Sequence, residues 1–243
     1  MMYIESQKKE ILAACHESWR PLLERTAPLW MSVLESLRDE PKNPPGSMIF
    51  RFAQTDLDRV RVVILGQDPY PQPGAATGRS FEVAGLTSWL APIRQSSLRN
   101  LLRAICAAET GELLSFREVQ ARIRDGRFAI LPPDRLWDAL EARGVLFLNA
   151  YLTCRPGAPL SHRALWEPFA RALVRGIDEA RGEAVSWFLW GADARAKGGL
   201  VRRGRRYESR HPMMAGAEPD GFLQNPCFRE TAGIIRWTGI SDA

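Results

Sequence analysis

Residues 61–70 read Arg-Val-Val-Ile-Leu-Gly-Gln-Asp-Pro-Tyr, an aliphatic run that stops at Gly66 and delivers Gln67, Asp68 and Tyr70 into a loop rich in Pro and Gly. An unbroken apolar run of this length, with no polar residue on alternate positions, suits a strand buried on both faces, as in a parallel sheet covered by helices. Three later stretches behave alike. Residues 145–148 (Val-Leu-Phe-Leu) end at Asn149, residues 184–189 end at Trp190-Gly191, and a shorter segment, 207–209, stands just before His211. Helical patterns separate them: 97–108 sets Leu98, Leu101, Leu102, Ile105 and Cys106 on one face with Arg99 and Arg103 outside, while 132–144 and 165–181 predict two more helices. A parallel crossover needs an intervening helix, so the alternation predicts an α/β fold: a three-layer α/β/α sandwich around a central, mainly parallel four-stranded sheet. Ligands of such sheets lie beyond the carboxyl ends of the strands, where this chain puts Gln67, Asp68, Asn149, Gly191 and His211.

Upstream of that frame, residues 5–38 carry apolar side chains at helical spacing, broken by Pro21 and Pro28, and predict two or three helices before a loop at Pro41, Pro44, Pro45 and Gly46. With 243 residues, 45% of them hydrophobic, the chain can bury one substantial core, so a single domain over 1–243 is expected, about 1–45 being an N-terminal helical segment. The 33 Lys and Arg against 28 Asp and Glu give a net charge of +5, which favours a polyanion such as nucleic acid without the charge density of a histone-like protein. Cys15, Cys106, Cys154 and Cys227 are dispersed singly, so buried free thiols are expected rather than disulfides, an iron–sulfur cluster or another metal site. Glu5, Lys8, Lys9 and Glu10 argue against a signal peptide or membrane span at the amino terminus, and a soluble cytoplasmic protein of bacterial type is expected. Residues 74–78, Gly-Ala-Ala-Thr-Gly, lack the spacing of a Rossmann or P-loop turn, so no nucleotide cofactor is expected.

Four motifs in order carry a resemblance. Gly66-Gln67-Asp68-Pro69-Tyr70 resembles the water-activating signature of family 1 uracil-DNA glycosylases. Residues 78–83 (Gly-Arg-Ser-Phe-Glu-Val) resemble its base-stacking segment, 148–153 (Leu-Asn-Ala-Tyr-Leu-Thr) its base-reading strand end, and 188–194 followed by His211-Pro212 its last strand and leucine-loop region. The likeness covers roughly residues 60–235, and four motifs in register are far more specific than any one of them.

The resemblance implies hydrolysis of the bond between uracil and deoxyribose after the base has flipped out of DNA, leaving an abasic site, with no metal or organic cofactor. Cleaving an N-glycosidic bond builds positive charge on the sugar and negative charge on the base, so the site needs an anion below the one and neutral donors around the other. By resemblance Asp68 stabilises the sugar cation and directs the water, and His211 donates to the base carbonyl. Asn149, with donor and acceptor on one amide, would read the base edge; Gln67 lies in the same base-binding set, Phe81 would stack on the base, and Tyr70 would exclude the 5-methyl of thymine. Ser97, Ser161, His162 and Arg210 are expected at DNA phosphates, and the basic stretch of Arg195, Lys197, Arg202, Arg203, Arg205, Arg206 and Arg210 is expected to track the backbone.

Two departures from the family pattern stand out. Pro71 occupies a position where the family has His, and Met213-Met214-Ala215-Gly216 replaces a Ser-Pro-Leu-Ser wedge, which leaves alanine at the aligned wedge position and Met213 or Met214 as the apolar residue that parts the bases. The stretch at 93–97, Ile-Arg-Gln-Ser-Ser, is also changed. Alternatives are therefore a broader deaminated-base glycosylase of the same superfamily, a protein that captures uracil-DNA without efficient turnover, or a scaffold module. The partner expected is uracil-containing DNA, single- or double-stranded, with the protein a monomer.

Overall fold

The computed structural model describes residues 2–214, 216 and 218–241. Three helices come first, α1 (Met2–Ala14), α2 (Arg20–Arg25) and α3 (Ala27–Ser36), followed by 3-10 turns and then β1 (Val62–Gly66). Next are α4 (Ser96–Thr110), α5 (Phe116–Arg124), α6 (Pro133–Ala142), β2 (Val145–Asn149), α7 (Arg163–Arg181), β3 (Ser186–Trp190), α8 (Ala192–Gly198), β4 (Arg205–Ser209) and α9 (Cys227–Glu230). The four strands form one sheet in the order β2-β1-β3-β4, every pair parallel. The "mainly parallel" expectation thus becomes entirely parallel.

The side-chain alternation of the strands divides the core in two. Val63, Leu65, Leu146, Leu148, Trp187 and Leu189 face α2, α3 and α7, whereas Val62, Ile64, Val145, Phe147, Phe188 and Trp190 face α4, α6 and α9. Both faces being covered, every residue of β1, β2 and β3 is buried, which is why their sequences are continuous apolar runs. Each large apolar side chain so buried contributes roughly 1.5–3 kcal/mol. By contrast β4 closes one edge with Arg205, Arg206 and Glu208 exposed, charges that discourage pairing with another strand.

Helix α4 presents Leu98, Leu101, Leu102 and Ile105 to the core and ends at Gly111, whose φ of 78° is the left-handed turn a C-terminal glycine adopts without strain. Helix α5 was not expected, although Ser115 and Glu118 form a full capping box visible in the sequence. Helices α8 and α9 were too short to show a periodicity. All four cysteines are buried free thiols. Among the described residues no helix is long and apolar enough to cross a membrane.

Candidate active site

A cleft of about 500 Å³ opens at the carboxyl ends of the strands, lined by Gln67, Asp68, Tyr70, Phe81, Asn149 and His211, with Arg94, Ser97 and Met213 at its mouth. A second cavity, of about 550 Å³, lies between α1, α3 and residues 46–54. No strand end delivers a side chain to that one, so the chemistry belongs to the cleft.

Asp68 leaves the end of β1 on the Gly/Pro loop. Its Oδ2 accepts a 2.6 Å hydrogen bond from the Leu160 backbone N–H. Burial pushes its carboxyl above the usual carboxylate range; the Leu160 bond opposes that rise, and the nearby Asp193 carboxylate adds to it. Leu160 holds a φ of 63°, unusual for a branched side chain, and Phe81 holds the same value at the other wall. These two are the non-glycine residues with positive φ among the described residues, and both line the cleft. Strain of this kind persists where surrounding contacts over-determine it, and it gathers at functional sites.

His211 follows β4 and faces Phe81, the ring centroids lying 6.1 Å apart. The Met213 backbone N–H donates to His211 Nδ1 at 3.1 Å. A backbone amide can only donate, so Nδ1 carries the lone pair and the proton of the neutral ring sits on Nε2. Burial lowers the pKa of the imidazole, which favours that neutral form. Gly191, at φ 92°, makes room: a Cβ there would stand 3.1 Å from the Cβ and Cδ2 of His211.

Asn149, the last residue of β2, is 4% exposed. Its side-chain amide has no hydrogen-bond partner among the described residues and lines the cleft, which leaves a donor and an acceptor open to a ligand. Tyr70 completes the wall with its hydroxyl 3.5 Å from Ser97 Oγ, and burial raises the pKa of its phenol.

Not every expected DNA contact is placed for the role. His162 is 1% exposed, with Nδ1 2.9 Å from Thr153 Oγ1 and Nε2 3.3 Å from Glu40 Oε1, so its side chain is turned into the protein. Ser161 Oγ accepts from the Arg155 backbone N–H at 2.7 Å, which ties it to its own loop. Arg210 pairs with Glu218 and Asp220 at 3.2 and 2.8 Å. The rest of the basic stretch is largely neutralised too: Lys197 is buried against Glu167 and Tyr151, Arg205 meets Glu230, and Arg195 and Arg206 meet Asp220 and Glu208. Lys197 is thus internal, whereas Arg195, Arg205, Arg206 and Arg210 remain on the surface with a carboxylate nearby, an arrangement that charge counting along a sequence cannot distinguish from free charge. Met213 and Met214 are exposed, at 62% and 57%. The alanine at the wedge position, Ala215, lies outside the described residues.

Sequence reasoning missed Leu160, Asn43 and Arg94. Asn43 Nδ2 donates to the carbonyls of Pro71 and Gln72 at 3.0 and 3.3 Å, and the Gly157 N–H donates to the Pro71 carbonyl at 2.8 Å. Pro71, lacking a donor, thus still locks its loop through its carbonyl. Arg94 lines the cleft and is exposed, with no carboxylate in salt-bridge range among the described residues. None of the three carries a local signature: Leu160 and Asn43 act through contacts distant in the chain, and the place of Arg94 at the cleft is set by the fold. Among the described residues no group of three or more His, Cys, Asp or Glu side chains is placed to hold a metal ion.

A doubly covered parallel sheet whose strand ends bring a carboxylate, an imidazole and an amide to one cleft is the arrangement of an α/β enzyme with its site at the carboxyl edge of the sheet. No protein-family profile matches the chain. Curated relatives do. A uracil-DNA glycosylase of Porphyromonas gingivalis is 37% identical over 214 residues, covering 86% of this chain and 85% of that protein. One of Acinetobacter baumannii is 33% identical over 251 residues, covering 97% and 94%. The crystal structure of wild-type UNG from Nitratifractor salsuginis superposes with a TM-score of 0.74 at 24% identity over 98% of both chains, and a mimivirus UNG variant in complex with UGI with a TM-score of 0.63 at 21% identity over 84% of this chain and 72% of that one. The chain belongs to the uracil-DNA glycosylase family.

Proposed function

We propose that the protein is a DNA-repair hydrolase that cleaves the N-glycosidic bond of uracil in DNA, releasing the base and leaving an abasic site, and that it works as a monomer on a single folded domain. The observation that carries this reading is that Asp68 and His211 line one cleft, burial favouring the neutral imidazole of His211 while the Leu160 N–H favours the anionic form of Asp68 against its own burial.

As the bond breaks, the sugar gains positive charge and the base negative charge. Asp68, whose anionic form the Leu160 N–H favours, offers negative charge to the sugar and orients the water that completes hydrolysis. His211, neutral with its proton on Nε2, donates to the base carbonyl without placing a competing cation beside the sugar. Asn149 pairs with the base edge, with Gln67 beside it at the end of β1, and Phe81 replaces the stacking lost on flipping, about 1–3 kcal/mol per base. Tyr70 fills the space a 5-methyl group would need.

On the DNA side, Met213 and Met214 stand where an apolar wedge enters the base stack, and Ser97 with Arg94 faces the phosphates beside the flipped nucleotide. Excision on a labelled oligonucleotide with one deoxyuridine, developed with alkali, tests the proposal. Cleavage that disappears in Asp68→Asn supports it, and a shifted but uncleaved complex points to a capture protein instead.

A further inference from the structure

The segment that follows β2 does more than connect it to α7. Residues 154–162 fold back over the loop that carries Asp68, and two hydrogen bonds bind the two together, Gly157 N–H to the Pro71 carbonyl at 2.8 Å and Leu160 N–H to Asp68 Oδ2 at 2.6 Å, while Asn43 and Cys154 exchange N–H to carbonyl bonds at 2.8 and 3.0 Å and anchor the start of the segment. The Leu160 bond touches the reacting carboxylate, and it depends on Leu160 staying at a φ of 63°. Leucine does not hold that conformation on its own account, so something must clamp the loop at both ends.

One side chain does so. Glu40, between α3 and β1, accepts from Arg155 Nε at one end of the loop and from His162 Nε2 at the other, both through the same oxygen. A carboxylate can only accept, so His162 keeps its proton on Nε2; its Nδ1 lies 2.9 Å from Thr153 Oγ1, to which Trp166 Nε1 donates at 2.7 Å. The Arg155 hydrogen bond holds the Glu40 carboxyl below the usual carboxylate range, so the clamp stays charged wherever the enzyme can work. Within the loop, Ser161 Oγ accepts from the Arg155 N–H and closes the ring of contacts.

We propose that Glu40 is a positioning residue for the reaction: by tying Arg155 and His162 together it holds the Leu160 N–H against Asp68 and so fixes the orientation of the catalytic carboxylate. The inference rests on the reading of Asp68 as the catalytic carboxylate. The other titratable groups facing Asp68 are Asp193 from the first turn of α8, the Cys154 thiol beyond β2 and His211 across the cleft. None of them is hydrogen-bonded to Glu40 among the described residues. A change in the titration of Asp68 on altering Glu40 therefore has to travel through the loop.

The test compares wild type, Glu40→Ala and Glu40→Gln on deoxyuridine oligonucleotide across pH, each checked for folding by circular dichroism. Glu40→Ala is expected to lower kcat about ten-fold, the size of one hydrogen bond to a charged group, with KM for DNA within about two-fold. Its acid limb should move to higher pH, because the Leu160 bond is what holds the Asp68 carboxyl down. Glu40→Gln keeps a carbonyl oxygen that can accept from both partners and should recover most of the loss. An unchanged kcat and acid limb in folded Glu40→Ala overturns the proposal, and so does a raised KM at unchanged kcat, which would make the loop a DNA grip. If Glu40→Ala does not fold, Arg155→Ala removes one arm from an exposed position and must shift the acid limb in the same direction; an unmoved limb overturns the proposal there. Wild-type protein that releases no uracil refutes the glycosylase reading instead, so the two failures are distinct.

Discussion

Replacing Gly66 by alanine adds a methyl group at the point where β1 meets the Asn149 end of β2. Gly66 and Asn149 are partners in the parallel ladder, and a Cβ at 66 would lie 2.6 Å from Asn149 Oδ1 and 2.7 Å from Ser80 Cβ. Ordinary van der Waals contact begins near 3.4 Å, so the Asn149 oxygen must move by about 0.8 Å. Ser80 yields less readily, because it is 1% exposed and its hydroxyl donates to the Ile64 carbonyl at 3.1 Å. The backbone of Gly66 is not left-handed, so the substitution acts through space alone. Overpacking of this kind costs roughly 1–3 kcal/mol of stability, and a domain of this size loses about 2–4 °C in Tm per kcal/mol. The protein should therefore fold, with Tm lowered by several degrees. Catalysis should suffer more, since a misplacement near 1 Å at a positioning group costs on the order of 100-fold. Single-turnover excision of uracil measures this loss directly, alongside a thermal melt. Wild-type excision in Gly66→Ala would refute the assignment of Asn149 as the base-reading amide.

The same geometry sets four further outcomes. Because burial raises the Asp68 carboxyl above its ordinary 3.8, the folded protein holds that proton more tightly than the unfolded chain does; the resulting stability is full below the unfolded value and is lost as pH rises through the folded one. Asp68→Asn should thus melt higher than wild type at neutral pH while abolishing excision, and a lower Tm would contradict the sign. For His211, nitrogen-15 NMR should find a neutral ring protonated at Nε2 with its pKa below 6.5, and a ring still charged at pH 7 would remove its proposed role. Arg94→Ala should weaken DNA binding across all sequences and reduce the salt slope by about 1, with kcat unchanged; an unchanged slope means that Arg94 meets no phosphate. Tyr70→Ala should allow thymine excision, and continued exclusion of thymine would place the methyl barrier elsewhere.

Much of this site could be read along the chain because its residues sit at strand ends. The apolar runs at 62–65 and 145–148 announce buried strands, and the polar residues just beyond them, Gln67-Asp68 and Asn149, must emerge on the same edge of a parallel sheet. His211 was legible for the same reason after β4. The pairing of the charged residues was not. Arg210 and Lys197 look like free cations in the sequence, yet one meets Glu218 and Asp220 and the other is buried on Tyr151 and Glu167. His162 likewise sits in a plausible loop but points inward to Glu40 and Thr153. Leu160, which holds Asp68, and Asn43, which holds the loop beside it, carry no local signature, because what matters in each is where its N–H groups arrive after folding.

The sequence alone determined the parallel sheet, the family and the strand ends at which Asp68, Asn149 and His211 emerge, since strand burial and family motif are written in consecutive residues. Tertiary structure decided which charges are spent on one another, which tautomer His211 carries and what clamps Asp68. Those depend on contacts between residues as distant as Glu40 and His162 or Asp68 and Leu160. Hydrogen bonds and burial set the protonation state of each group, and both exist only once the chain has closed around the cleft.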